Sequence, residues 1–372
     1  MKNYPALASV SRRKFLGHLS LGAVGLALAS RGRAADAPAP RKLGVAIVGL
    51  GGYARGQIGP ALRLTEHCRL MGVVTGSAAK GQQWASEYGF PEQNIFSYDT
   101  MHRLADAKDI DIVYVITPNA LHAEQVIAAA KAGKHVISEK PFTTKVADAE
   151  RAIAACRAAK VKLSIGYRLH FDPFHQELMR LAREKDFGRL TRLTGANGFR
   201  MTRPQWRAQS NLAGGGPLMD MGVYCVQAAC MAAENAAPVA ITAREHPKTR
   251  PEFFVDVEEG LDWTMEFANG VKAELMTSYE KNVGYFRAEG EKGWYELGPA
   301  FGYGGLKANS SRGPLNIKGL QSQQAVQLDD FARCVREGRE SRVSGEMGLR
   351  DVKILEAIYA AAKSGQRVEL KA

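Results

Sequence analysis

A six-residue apolar run, Leu43-Gly44-Val45-Ala46-Ile47-Val48, that ends directly in Gly49-Leu50-Gly51-Gly52-Tyr53-Ala54 leaves few folds open to this chain. An unbroken apolar run reads as a strand buried on both faces of a parallel sheet. The glycines that follow it match G-x-G-x-x-A at the point where a strand turns into a helix. There Gly49 permits a tight turn, Gly51 with Gly52 lets backbone approach a pyrophosphate, and the small Ala54 lets helix pack closely on strand. Phosphate then sits on the helix N-terminus. The expected ligand is a dinucleotide, held at Gly49, Gly51, Gly52 and Tyr53.

The run begins a regular series. Residues 69–75, 111–117, 134–138 and 161–167 read as further strands, and the Ala-rich stretches 78–88, 119–132 and 146–160 between them have helical spacing. Alternating strand and helix predicts an α/β, doubly wound parallel sheet of the Rossmann type over residues 41–166. After about residue 167 the pattern changes to a helix near 174–185 and strand-like segments at 189–199, 238–246, 252–267 and 271–280. Residues 167–372 therefore read as an α+β domain built on a mostly antiparallel, open-faced sheet, closed by helices over 323–337 and 345–364. The stretch from Gly302 to Pro314, rich in Gly, Ser and Asn, reads as a mobile loop.

The end of the second strand carries no acidic residue of the kind that holds a ribose 2'-hydroxyl. It carries Thr75, Gly76 and Ser77, with Lys80 close behind, so hydroxyl and cationic groups stand where a 2'-phosphate would lie. NADP is the expected cofactor, with NAD the alternative. Thr117, Pro118, Asn119 and His122 follow the fourth strand, and Glu139, Lys140 and Pro141 follow the fifth; ligands of open α/β sheets bind at such strand ends.

The net charge of +12 would favour a polyanionic partner if it were spread over the chain, but half of it comes from Lys2, Arg12, Arg13, Lys14, Arg31 and Arg33 in residues 1–35, which hold no acidic residue. Nucleic acid is not expected as a partner. That segment reads Arg12-Arg13-Lys14-Phe15-Leu16, then a mild apolar stretch too short to span a bilayer, then Ala34-Ala35-Asp36-Ala37. It resembles a twin-arginine export signal, which predicts the export machinery as a partner, a periplasmic location and no stable membrane anchor. Five cysteines without Cys-x-x-Cys spacing predict buried free thiols and no metal site.

The motif Glu139-Lys140-Pro141, the stretch Gly166-Tyr167-Arg168-Leu169-His170-Phe171-Asp172-Pro173 and the stretch Gly214-Gly215-Gly216-Pro217-Leu218-Met219-Asp220-Met221-Gly222-Val223-Tyr224 together resemble the Gfo/Idh/MocA oxidoreductases, and within them the glucose-fructose oxidoreductase branch. The resemblance covers nearly all of the chain after the leader. It implies Lys140 as a catalytic residue beside an Asp-x-x-x-His pair. Here the pair is Asp220-x-x-x-Tyr224, a departure that points to that branch. At i, i+4 both side chains share one helical face. Tyrosine is a weak base at neutral pH, and an ammonium beside its hydroxyl favours the phenolate. Asp220 is expected to hold Lys140 or a sugar hydroxyl. Tyr167 and His170 are expected at the substrate, and Arg168, Trp206 and Arg207 at the cofactor's reactive end.

Export of a folded protein to a compartment without free nucleotide predicts that the cofactor stays bound. Hydride taken from one sugar must then return to another, a ping-pong exchange in which an aldose such as glucose becomes a lactone and a second sugar such as fructose, or another aldose, becomes an alditol. The alternatives are an NAD(P)-dependent glycoside hydrolase of the same superfamily and an ordinary sugar or polyol dehydrogenase with exchanging cofactor. About seven residues separate Ala35 from Leu43, fewer than the covering arm of the glucose-fructose enzymes, so retention is expected to rest on Tyr53, Lys80, Tyr98 and domain packing. The open sheet face predicts a homo-oligomer, a dimer or tetramer.

Overall fold

The computed structural model describes residues 41–370; the leader lies outside the described residues. Strand β1 (Leu43–Val48) is buried at every position, as its unbroken apolar run requires. It is joined by β2 (Cys68–Val74), β3 (Ile95–Phe96), β4 (Ile112–Val115), β5 (His135–Ser138) and β6 (Leu163–Ile165). All six run parallel in the order β3-β2-β1-β4-β5-β6, so the topological switch falls between β1 and β4. The intervening helices are α1 (Gly59–Leu64), α2 (Ala78–Tyr88), α3 (His122–Lys131) and α4 (Val146–Ala158).

Beyond β6 come α5 (Pro173–Arg183), β7 (Leu190–Gly198), α6 (Ser210–Ala213) and α7 (Val223–Ala232), then β8 (Ala240–Glu245), β9 (Gly260–Glu266), β10 (Lys272–Ser278), β11 (Val283–Gly290), β12 (Gly293–Leu297), β13 (Ala308–Ser310) and β14 (Gly313–Leu315). Helices α8 (Gln323–Glu337) and α9 (Gly345–Ser364) and the short β15 (Val368–Glu369) end the chain. The second sheet has nine strands, β14-β13-β12-β11-β7-β10-β9-β8-β15, antiparallel except for the β7/β10 pair. One face is apolar: Ala273 and Leu275 of β10 and Phe286 and Ala288 of β11 join α7, which is buried along its whole length, in one core. The alternate residues, Arg192, Lys272, Glu274 and Tyr285 among them, face away from that core and stay exposed, the period-two pattern of a sheet covered on one side. Helix α8 follows the second sheet in sequence yet packs on the first, its Leu328 and Phe331 sharing a core with Val45, Ile47 and Tyr114.

Two expectations need correction. The strand expected over 252–267 starts only at Gly260, because buried Glu259 ties back the turn before it, accepting from the Thr249 and Arg250 backbone N–H groups at 2.6 and 3.1 Å. The stretch 302–314 is not one loop: Tyr295 pairs with Ser310 and Leu297 with Ala308, so from Ala308 onward it is sheet. The five cysteines are free and buried.

Candidate active site

Gly49 has φ +97°, and a Cβ there would sit 2.9 Å from Thr117 Cγ2, so the first glycine of the loop is required both by conformation and by space. Gly51 and Gly52 are exposed, and nothing lies within 4 Å of where a Cβ would point. This open backbone, followed by buried Ala54, is a cradle that fits a dinucleotide pyrophosphate. At the end of β2, Ser77 caps α2 by accepting from the Lys80 N–H, Lys80 is exposed, and the half-exposed Tyr98 ring lies alongside Gly76. Ser77, Lys80 and the Tyr98 ring therefore stand at this edge of the cradle.

Past the ends of β4 and β5 opens a cavity of about 340 Å³, bordered by Tyr53, Thr117, Asn119, His122, Glu139, Lys140, Trp206, Arg207, Asp220, Tyr224 and Tyr303. Its walls are tightly built. His122 is buried and sets one ring nitrogen 3.0 Å from Pro141 O and the other 2.9 Å from Thr117 O, clasping the two strand-end loops together. Asn119 donates to Ala213 O at 2.8 Å and ties the first half to α6. Thr117 Oγ1 is spent on Gln125, and Pro118 is half-buried outside the cavity. Glu139 is buried, accepts from Tyr114 O–H at 2.7 Å and from the Lys140 N–H at 3.1 Å, and its carboxyl is pushed above the ordinary range by burial.

Asp220 and Tyr224 come from a π-turn (Leu218–Gly222) running into α7. Buried Glu258 fixes the start of this segment, accepting from Gly216 N–H at 2.9 Å and Leu218 N–H at 3.0 Å while Tyr359 O–H donates to it at 2.9 Å. The glycines allow that approach: a Cβ on Gly215 would lie 1.9 Å from the Tyr359 hydroxyl. Lys140 Nζ donates to Asp220 O at 2.8 Å, lies 3.9 Å from Asp220 Oδ1, and stands 4.4 Å from the centroid of the Tyr224 ring. The ammonium thus sits over the face of the phenol. The cation at the phenol oxygen is a different one, for Arg168 Nε donates to it at 3.3 Å.

These features converge with sequence comparison. Residues 43–167 match the family described as "Oxidoreductase family, NAD-binding Rossmann fold", and residues 175–296 match the "GFO/IDH/MocA C-terminal domain". The chain belongs to the Gfo/Idh/MocA oxidoreductases. A solved aldose-aldose oxidoreductase from Caulobacter crescentus, complexed with glycerol, is 40% identical, covers 89% of this chain and 100% of its own, and superposes with a TM-score of 0.86. Among curated relatives, the D-xylose 1-dehydrogenase [NADP(+)] of Haloarcula marismortui is 27% identical over 340 residues, 87% of this chain and 92% of its own. The 1,5-anhydro-D-fructose reductase of Ensifer adhaerens is 25% identical over 87% of this chain and 98% of its own. The protein is accordingly an NAD(P)-dependent oxidoreductase.

Within this Gfo/Idh/MocA framework the structure brings Lys140, Asp220, Tyr224, Glu139, Trp206 and Arg207 to one cavity and leaves two expected substrate contacts elsewhere. Tyr167 is buried beside Asp351, and His170 sets Nε2 2.8 Å from Gln227 Oε1 and borders a separate, wider cleft with Arg180 and Arg342. Residues 168–171 form a 3-10 turn, which sends Arg168 and His170, two apart, to different sides. Arg168 is also no cavity contact, lying buried behind Tyr224. Asp220 does not hold Lys140 through its carboxylate alone. Oδ2 accepts from Tyr279 O–H at 3.1 Å and pairs with Arg207 Nε at 3.1 Å. Tyr279, Tyr303 and Glu258 escaped sequence reasoning, since none belongs to a local motif.

Proposed function

We propose that this oxidoreductase acts on sugars with an NADP that stays bound between turnovers, oxidising an aldose to its lactone and passing the hydride to a second sugar, aldose or ketose, which leaves as the alditol. The observation that carries this reading is the meeting of Lys140 and Tyr224 in one cavity at the strand ends. The 40% identity to a protein described as an aldose-aldose oxidoreductase supports the substrate class.

When bound, NADP supplies the hydride acceptor and, once reduced, the donor. Loss of hydride from the anomeric carbon requires its hydroxyl to give up a proton, and Tyr224 is the acid/base group placed for it. Lys140 uses one N–H on Asp220 O, which leaves two for the reacting oxygen and a neighbouring hydroxyl. The Arg168 N–H aimed at the phenol oxygen balances negative charge there while the proton is away. In the return half, the carbonyl carbon of the second sugar takes the hydride and its oxygen takes the proton back from Tyr224, so each cycle is balanced. The Arg12-Arg13 leader supports export with cofactor aboard to the periplasm, and the exposed face of the second sheet supports a homo-oligomer.

The test is an absorbance spectrum near 340 nm of desalted protein, without added nucleotide, before and after an aldose and then a second sugar. A rise followed by a fall is expected. Similarity to an NADP-dependent xylose dehydrogenase favours a second reading, an aldose dehydrogenase with exchanging cofactor. No change without added NADP, with turnover once it is supplied, establishes that reading instead.

A further inference from the structure

The cavity has an aromatic rim that the proton chemistry leaves unused. Tyr303 stands on the turn between β12 and β13 with 44% of its surface exposed and belongs to none of the hydrophobic cores. Its ring centroid lies 6.1 Å from that of Tyr53, which directly follows the open glycines of the dinucleotide cradle. On its other side the Arg168 guanidinium packs 4.5 Å from the Tyr303 ring and 4.7 Å from the Tyr224 ring.

The turn is anchored at both ends, by Arg168 before Tyr303 and by Leu306, buried in the core, after it, with Gly298 N–H donating to Lys307 O at 2.9 Å. Arg168, 2% exposed, donates to Phe301 O at 2.5 Å and Gly302 O at 3.0 Å, and to Gln323 Oε1 at 2.6 Å. Beyond Tyr303, a Cβ on Gly304 or Gly305 would meet nothing within 4 Å, and Gly305 has φ +71°. Between these anchors only Tyr303 and the two open glycines lie outside the core, so the ring can turn about its own side-chain bonds without disturbing it.

We propose that Tyr303 is a clasp that retains the dinucleotide. The inference rests on the reading that NADP occupies the cradle and reaches Lys140. A cofactor held at Gly51 and Gly52 with its reactive end by Lys140 leaves past the rim formed by Tyr53 and Tyr303. Covering it also buries the exposed Tyr303 face, which gives the closed turn its driving force. Arg168 ties this cover to the catalytic tyrosine, because one guanidinium donates to both the turn and the Tyr224 hydroxyl.

The experiment compares full-length wild type, Tyr303→Ala and Tyr303→Phe. Nucleotide content is measured after gel filtration, and NADPH release is followed by fluorescence during displacement with excess NADP. Loss of the ring is expected to speed release about tenfold, the scale of one aromatic face packed against the bound nucleotide. Tyr303→Phe stays within about twofold of wild type, since the hydroxyl makes no hydrogen bond among the described residues. Equal release from wild type and Tyr303→Ala overturns the clasp while a loaded wild type leaves the retained-cofactor reading standing. Release from Tyr303→Phe as fast as from Tyr303→Ala also overturns it, because the ring is then not what retains. A wild type that emerges empty from gel filtration defeats retention instead, and the release rates of added NADPH then decide the clasp on the same tenfold criterion.

Discussion

Arg168→Met removes the most heavily used cation in the interior while keeping a side chain of similar length. The guanidinium serves three acceptors besides Tyr224: Phe301 O, Gly302 O and Gln323 Oε1. Each buried acceptor left without a donor costs roughly 1–3 kcal/mol. The burial cost of the lost charge is recovered in part, which brings the expected net destabilisation to about 4 kcal/mol. Equilibrium urea unfolding followed by tryptophan fluorescence then shows a midpoint lowered by more than about 1 M, given a slope near 3 kcal/mol per molar for a chain of this size. Arg168→Lys keeps the charge but lacks the planar fork that reaches adjacent carbonyls, and restores less than half of the loss. Tyr303→Ala strips only the exposed ring from the same guanidinium and stays within about 1 kcal/mol of wild type. An Arg168→Met midpoint within about 0.3 M of wild type refutes the assignment of Arg168 as the anchor of this turn.

Tyr224→Phe is expected to lower the sugar-dependent hydride step by about 10²–10⁴-fold while NADPH binding, read by fluorescence titration, is unchanged; near-normal turnover removes Tyr224 as the acid/base. Burial holds the His170 imidazole down at about 4, so the folded chain keeps it neutral where the unfolded chain is protonated. Stability is then lost as pH falls from about 6.5 to about 4, by about 3 kcal/mol from this group. His170→Gln keeps a donor for Gln227 and flattens that part of the profile, and parallel losses in wild type and variant over this window contradict the assignment.

How much was legible from the sequence follows from how local each signal is. The β1–glycine junction carries its strand, its turn and its ligand in twelve contiguous residues, and Lys140 is placed by the strand it terminates. Asp220 and Tyr224 border one cavity, as their i, i+4 spacing predicts, although the chain between them passes from a π-turn into α7. Arg168 and His170 look equivalent in sequence, and only the tight turn at 168–171 sends one behind Tyr224 and the other toward Gln227. Tyr279 reaches Asp220 because β10 lies in register beside β7, with Ser278 opposite Gly198, at the base of the π-turn. No periodicity encodes a contact across that separation.

The same long-range contacts decide the electrostatic character of the cavity. Asp220 is mostly buried, and Tyr279 and Arg207 already occupy Oδ2 while Lys140 stands near Oδ1. Glu139 is held in the cavity wall, accepting from Tyr114 O–H and from the Lys140 backbone N–H. Lys140, Arg207 and, behind the phenol, Arg168 therefore outnumber the charge that faces them. Fixed cations beside a reacting hydroxyl stabilise an alkoxide relative to an alcohol, because they are oriented before the proton leaves. By microscopic reversibility the same donors act whether a hydroxyl loses hydride or a carbonyl receives it, so this arrangement suits both halves of the proposed exchange.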